Sequence, residues 1–473
     1  MAAISSPNCT RIAPARWSRP IRRRGGAPRC SRCTSSFAPS PIRRTWFPTE
    51  PAVSGCSACS RPSPVPRARD ARWRWRNSQS ERRPAPPPAG KRFRSCRSGW
   101  RRCRPELPHL RPLVPSSGTA PEGIGLKRHF LTTLDRSAAE LLDLLARARR
   151  IKSGAVRPDF RGKAMALLFF NASMRTRVSF EAGLARFGGH PIHLQPGKET
   201  YVFEHRDGAV MDGATQEHVR EAAPVLSRYV DCIGVRKSDL ITTGAGNADV
   251  TGSWQELRGD EFLRAFARHA GVPVVNMESN FEHPCQELAD RLTLAEKLGD
   301  ARGRKYVLTW AWHPKSLPLA TPHSQLLSAA ALGMRVVHLR PPGYDLDPEV
   351  VAVARQRAEA AGGSLEVTDD VDAAYRGAHA VCAKSHGGIG WFGKFDEERR
   401  HKESLRPRWI VDADKMGRTA DAIFMHCLPI RRNVKATDGV LDGPRSVVID
   451  QAENRLWAQV ALLEHLFEEW RSR

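Results

Sequence analysis

The sequence predicts an α/β protein with two doubly wound parallel-sheet domains, preceded by a disordered basic N-terminal segment. Three observations predict it. From about Leu126 onward, strand-like apolar runs alternate with amphipathic helical runs. The strand runs are continuously apolar, as in parallel sheets covered on both faces, rather than alternating as in half-exposed antiparallel ones. Residues 1–123, in contrast, hold no period that lasts beyond a few residues.

The N-terminal quarter owns the charge. It carries 26 Lys+Arg against 5 Asp+Glu, whereas the rest of the chain carries 49 against 45, so the net +25 says nothing about the function of that rest. Scattered proline and few apolar runs leave it unable to bury enough surface to offset its ordering entropy. Three readings stand: a basic tail that touches nucleic acid, an organellar transit peptide, and upstream sequence included by a misplaced start. Transit peptides are amphipathic and this segment is not. We favour the third; after Met1 the next methionine is Met165, so a start near residue 125 uses a non-Met codon. The pair "CSRC" (30–33) and "CSAC" (56–59) has near zinc-ribbon spacing. The residues between them lack the strands of a ribbon, and the zinc reading is disfavoured.

Seven of the 11 cysteines lie in this quarter; Cys232, Cys285, Cys382 and Cys427 lie beyond it without a disulfide-like framework. That fits a reducing, cytoplasmic compartment. No run approaches the roughly 20 apolar residues that span a bilayer, and no apolar segment near Met1 suggests a secretory signal.

The elements follow in order. "DRSAAELLDLLARARRIKSG" reads as a helix with Asp135 as N-cap and Leu141, Leu142, Leu144, Leu145 and Ala148 largely on one face. "AMALLFF", "HPIHL", "DCIGVR" and "VPVVNM" read as the strands of a first domain, 124–297. "TQEHVREAAPVLSRYV", "DEFLRAFARHAG" and "HPCQELADRLTLAEKLG" read as its helices. A break falls at "LGDARGRK" (298–305). The second domain, 298–455, takes the strands "YVLTWAW", "RVVHLRP", "SLEVT", "AHAVCAKS", "WIVDA" and "AIFMHCLP", with helices at "SQLLSAAALG" and "DPEVVAVARQRAEAAGG". "NRLWAQVALLEHLFEEW" is a long terminal helix, set off as 456–473. Ligands of such folds bind beyond the carboxyl ends of the strands.

Polar motifs do stand at those ends. "SMRTR" (173–177) puts two hydroxyls, a guanidinium and the free N–H groups of a helix start together, which suits a phosphate-like dianion. The bland alternative is a capped helix with solvent-facing arginines. Arg236 closes a strand and either adds charge to the site or lies at the surface. In "HPCQ", His283 can donate to a polarised carbonyl and Gln286 can donate and accept; the alternative is an ordinary polar first turn. In "HCLPIRRNVKATD", Cys427 is either a thiolate nucleophile or a buried cysteine offering its backbone carbonyl, and we prefer the second. Gly388 to Gly393 matches GxGxxG, with Asp412 about 20 residues on. Two bulky aromatics in the turn and a poor helix pattern in "KFDEERRHKES" disfavour a dinucleotide. A mobile loop closing over a substrate fits better.

"SMRTR", "HPCQ" and "HCLP" in this order resemble the aspartate/ornithine carbamoyltransferase family, over roughly residues 126–470. The resemblance implies the carbamoyltransferase fold with a knotted second domain, and no metal or other cofactor. It implies a cradle for carbamoyl phosphate from Ser173, Met174, Arg175, Thr176, Arg236, His283, Pro284, Cys285, Gln286, Cys427, Leu428 and Arg455. Arg175, Thr176, Arg236, His283 and Cys427 are its catalytic members. It also implies a homotrimer, in which Tyr201 reaches the neighbour's site where relatives mostly use Trp.

"AKSHGGIGWFG" replaces the Asp and Ser-Met-Gly loop of the ornithine enzymes. "LQPGKETYVFE", "GAVMDG", "LTWAWHPK" and "RRNVKATD" instead resemble the branch that acts on N-acylated ornithines in arginine biosynthesis. There Glu278, Lys384, Leu428 and Arg431 match contacts to the acylornithine, and Lys435 matches a carboxylated lysine. Gln216 and Pro318 stand where the acyl group is sensed. Both depart from the acetyl pattern, and Pro318 leans toward succinyl; Lys435 and "KETYVFE" lean toward acetyl, the choice made here. A reading of another class stays open: an inactive relative whose basic tail binds nucleic acid. Neither membrane nor nucleic-acid partners are expected otherwise.

Overall fold

The computed structural model of the chain describes residues 129–239 and 253–471. The basic segment 1–123, its seven cysteines and both CxxC motifs lie outside them.

Two parallel sheets form. In the first, strands β1 (Ala164–Phe169), β2 (His190–Leu194), β5 (Cys232–Arg236) and β6 (Val274–Glu278) lie in the order β2-β1-β5-β6. A minor pair, β3 (Phe203–Glu204) and β4 (Glu217–His218), stands apart from it. In the second sheet, β7 (Lys305–Trp310), β8 (Arg335–Leu339), β9 (Ser364–Thr368), β10 (Ala380–Lys384) and β11 (Ile423–Met425) lie in the order β11-β10-β7-β8-β9. Both orders reverse beside the strand that starts the sheet, as in a doubly wound fold. Strands β1, β5, β6 and β7 are buried almost throughout, which explains their unbroken apolar runs. A Cβ on Gly234, at the centre of β5, would lie 2.8 Å from Met277 Sδ and 2.9 Å from Met165 Cε, so these two methionine side chains pack directly over the glycine.

The helix Val448–Arg471 leaves the second sheet and packs on helices Ala138–Lys152, Met174–Arg186 and Pro284–Leu298 of the first. A Cβ at Gly183 would lie 2.9 Å from Val460 Cγ2, so glycine lets the Met174–Arg186 helix approach it closely. This helix begins at Val448 rather than at 456, which places Arg455 inside it.

Four local expectations need correction. Asp135 does not cap the first helix. It belongs to a 3-10 turn, and Ser137 caps the helix Ala138–Lys152 in a reciprocal capping box with Glu140. Leu142 is 58% exposed, so the buried stripe is Leu141, Leu144, Leu145, Ala148 and Ile151. "WIVDA" is not a strand; Val411 makes only an isolated bridge to Ala436. "KFDEERRHKES" does form a helix, Phe395–Leu405, whose buried members are Glu398 and Lys402. These two form an i,i+4 ion pair at 2.9 Å, which is why apolar periodicity missed them. Among the described residues, no helix is long and apolar enough to cross a membrane.

Candidate active site

The carboxyl ends of both sheets converge on one cavity of 740 Å³. The turn after β1 brings Ser173 to Thr176, β5 ends in Arg236, and β6 ends in Glu278 and leads to His283. From the second sheet, β7 leads to His313, β10 ends in Lys384, and β11 leads to Cys427 and Leu428. Arg455 enters from the C-terminal helix.

The "SMRTR" turn is built as an anion cradle. Ser173 is the N-cap of the Met174–Arg186 helix, and its Oγ accepts from Thr176 N at 3.3 Å. Its hydroxyl also meets Thr176 Oγ1 at 3.0 Å. Arg455 donates to Thr176 Oγ1 at 2.9 Å and to Gln286 Oε1 at 3.1 Å. Gln286 Nε2 in turn donates to Asp290 at 2.7 Å, which leaves its carbonyl facing Arg455. Arg236 is ion-paired with Glu278, whose Oε2 lies 3.7 Å from His283 Nε2. Three buried nitrogens on lining residues, Arg236 Nε, His283 Nδ1 and Arg455 Nε, have no hydrogen-bond partner. Buried polar atoms in folded proteins are mostly paired with protein or water.

Charge follows the same layout. Among the described residues, Arg175, Arg236, Lys384, Arg431, Lys435 and Arg455 line the cavity, against one carboxylate, Glu278. Burial holds the His283 imidazole well below its usual value, and the cations Arg455, Arg236, Lys384 and Arg175 push it the same way. It is therefore neutral at neutral pH. Lys435 is 2% exposed, and burial together with Lys384 brings its pKa down to about 7. Lys384 Nζ donates to Cys427 Sγ at 3.3 Å. Leu428 stands at φ 55°, a left-handed conformation that is costly for a branched residue, and its N–H donates to His426 Nδ1 at 2.8 Å.

Most of the residues named from sequence come together here: Ser173, Met174, Arg175, Thr176, Arg236, Glu278, His283, Gln286, Pro318, Lys384, Cys427, Leu428, Arg431, Lys435 and Arg455. Pro284 and Cys285 are buried behind the wall, and burial pushes the Cys285 thiol up to about 12. Tyr201 is 58% exposed and Gln216 is exposed; neither lines this chain's own cavity. Sequence reasoning missed His313, Leu317 and Thr321. The signal for His313 was present, a His-Pro step at a strand end like that of "HPCQ". The Gly388–Gly393 loop does not reach this cavity; Ile389, Gly390 and Trp391 line a separate one of 700 Å³.

Two family models match the chain. The aspartate/ornithine carbamoyltransferase carbamoyl-P binding domain covers residues 128–296, and the Asp/Orn binding domain covers residues 320–466. The chain belongs to the aspartate/ornithine carbamoyltransferase family. Within it, the chain is 47% identical to the N-acetylornithine carbamoyltransferase of Xanthomonas campestris pv. campestris over 342 residues, 72% of this chain and 97% of that one. It is 34% identical to the N-succinylornithine carbamoyltransferase of Bacteroides fragilis over 308 residues, 65% of this chain and 88% of that one. A crystal structure of acetylornithine transcarbamylase complexed with acetylcitrulline superposes with a TM-score of 0.67 at 47% identity, covering 72% of this chain and 98% of that one. Both sheets of this carbamoyltransferase therefore have counterparts in solved relatives.

Proposed function

We propose that the chain transfers the carbamoyl group of carbamoyl phosphate to the δ-amine of N-acetyl-L-ornithine, giving N-acetyl-L-citrulline and phosphate in arginine biosynthesis. The observation that carries this is the excess, among the described residues, of Arg175, Arg236, Lys384, Arg431 and Arg455 over one carboxylate, Glu278, around a cavity at facing strand ends. That balance fits a phosphate dianion beside an amino-acid carboxylate. The 47% identity to an acetylornithine enzyme supports the acceptor.

The residues divide the work. Ser173, the Met174 N–H, Arg175 and Thr176 hold the phosphate at a helix N-terminus, with Arg236 adding charge. The neutral δ-amine attacks the carbamoyl carbon, a C–N bond forms, and negative charge gathers on the carbonyl oxygen. Thr176, Arg236 and neutral His283 stabilise it there. The C–O bond to phosphate then breaks, and phosphate leaves with the electron pair and takes the amine proton. Gln286 and the carbonyls at Cys427 and Leu428 accept from the carbamoyl –NH₂. Cys427 thus serves mainly through its backbone. Glu278, Lys384, Leu428 and Arg431 hold the acylornithine, Arg431 at the α-carboxylate.

Lys435 is proposed to be carboxylated. A neutral amine adds to CO₂ and releases a proton, and a pKa of about 7 makes that form available at neutral pH. Lys384 and Arg431 would face the resulting anion. The assembly is proposed as a cytoplasmic homotrimer, in which Tyr201 and Gln216, exposed and outside this chain's own cavity, serve a neighbour's. The two domains are proposed to part at 297/298.

A second reading, transfer to N-succinyl-L-ornithine, is favoured by Pro318 and by the uncharged Gln216. Product analysis with ornithine, N-acetylornithine and N-succinylornithine beside carbamoyl phosphate separates the readings. Turnover of none of them would favour the inactive relative with a basic tail.

A further inference from the structure

Residues 311–319, between β7 and the helix Ala320–Ala330, form neither helix nor strand, yet Leu317 and Pro318 line the active cavity. Something other than backbone ladders must fix this wall. The Gly-rich segment and the helix Phe395–Leu405 behind it do so. Gly387 N donates to Leu317 O at 2.9 Å. Lys402 Nζ donates to Lys315 O and to Ser316 Oγ, each at 3.3 Å, and Trp312 Nε1 donates to Lys402 O at 2.9 Å. Glu398 Oε1 pairs with Lys402 at 2.9 Å and accepts from Gly388 N at 3.1 Å. Glu398 and Lys402 are each 1% exposed. Gly387 allows the approach: a Cβ there would lie 3.0 Å from Ser316 Oγ.

We propose that the buried Glu398–Lys402 pair is a positioning device that sets the Lys315–Pro318 wall against the acyl end of the acylornithine. Stability alone gives no reason for such a pair. Removing two charges from water is costly, and apolar residues of similar volume commonly serve as well or better. What apolar residues cannot do is hold a backbone carbonyl, a hydroxyl and a facing N–H in one register. The pair ties the Gly-rich segment to the substrate wall, so the segment acts through Leu317 and Pro318 and not as a lid. This role rests on the acylornithine reading above.

The test uses the full-length enzyme and compares Lys402→Met with the double variant Glu398→Gln/Lys402→Met. The single variant leaves Glu398 buried and unpaired, so its thermal midpoint falls. The double variant carries no buried charge there, and its midpoint is expected to recover. The KM for acylornithine is nevertheless expected to stay raised about tenfold in the double variant, with the KM for carbamoyl phosphate within about twofold of wild type. Ser316→Ala, which buries no new charge, should raise the same KM by a smaller factor even if the Lys402 variants do not fold. A double variant, or failing that Ser316→Ala, with wild-type KM values would overturn the positioning role, as would an equal rise for both substrates. A wild-type enzyme inactive on every acylornithine would overturn the functional reading itself, and the positioning role with it.

Discussion

Arg455 donates through Nη2 to Thr176 Oγ1 at 2.9 Å, so the C-terminal helix reaches back to the first turn of the Met174–Arg186 helix. Its other arm, Nη1, fixes Gln286 Oε1 at 3.1 Å. One planar guanidinium thereby orients Thr176, proposed to face the phosphate, and Gln286, proposed to face the carbamoyl group. Arg455→Lys keeps the charge and loses the fork. Steady-state kinetics should show kcat/KM for carbamoyl phosphate down about 100-fold. A loss below about threefold would mean that the fork positions nothing.

His283 is kept neutral by burial and by surrounding cations. Its folded pKa is depressed, so below about pH 6.5 the unfolded chain binds a proton that the folded chain refuses. Stability linked to this group is therefore present above about pH 6.5 and lost as pH falls below it. His426 and His338 act in the same sense. His283→Gln should lessen the drop in thermal midpoint between pH 8 and pH 5.5. It should also cost about 100-fold in kcat, because the more flexible glutamine amide does not hold its donor where the ring N–H lies. Parallel midpoint curves for wild type and variant would show His283 to be protonated in the folded state.

Gln216 is exposed and stands outside its own chain's cavity. In the proposed trimer, Gln216→Glu adds a negative charge beside the acyl end of the acylornithine bound by a neighbouring subunit. The preference for N-acetylornithine over N-succinylornithine, as a ratio of kcat/KM values, should rise about tenfold. An unchanged ratio would remove Gln216 from the acyl-sensing surface.

Lys435, brought down to about 7, is expected to react with CO₂ increasingly as pH rises through that value. With ¹³C-labelled bicarbonate, the enzyme should show a carbamate resonance that grows from pH 6 to pH 8 and is absent in Lys435→Met. A spectrum identical in the two proteins would exclude the modification.

The gathering of "SMRTR", "HPCQ" and "HCLP" at one cavity was legible because these motifs are local. "SMRTR", "HPCQ" and "HCLP" each follow an apolar strand, and the rule that ligands lie beyond strand ends gathers them. Arg455, Glu278 and Lys384 are isolated in sequence and were placed only by family resemblance. Glu398 and Lys402 were invisible, because a charged pair at helical spacing reads as a solvated face unless its burial is known. The Asp135 cap failed against a better local competitor, the reciprocal Ser137–Glu140 box. "WIVDA" failed because an apolar run of that length does not itself choose between strand and buried loop. Leu142 shows the limit of a helical face, since the exposed edge of the apolar stripe is set by what packs against it.

The most direct measurement is formation of N-acetylcitrulline from N-acetylornithine and carbamoyl phosphate by the wild-type chain and by Arg175→Ala. Wild type should form it, with free ornithine a poor acceptor, and Arg175→Ala should lose at least about 100-fold in kcat/KM for carbamoyl phosphate. Wild-type turnover confined to free ornithine, or an Arg175→Ala enzyme nearly as active as wild type, would contradict the assignment of this cavity as a carbamoyl phosphate and acylornithine site.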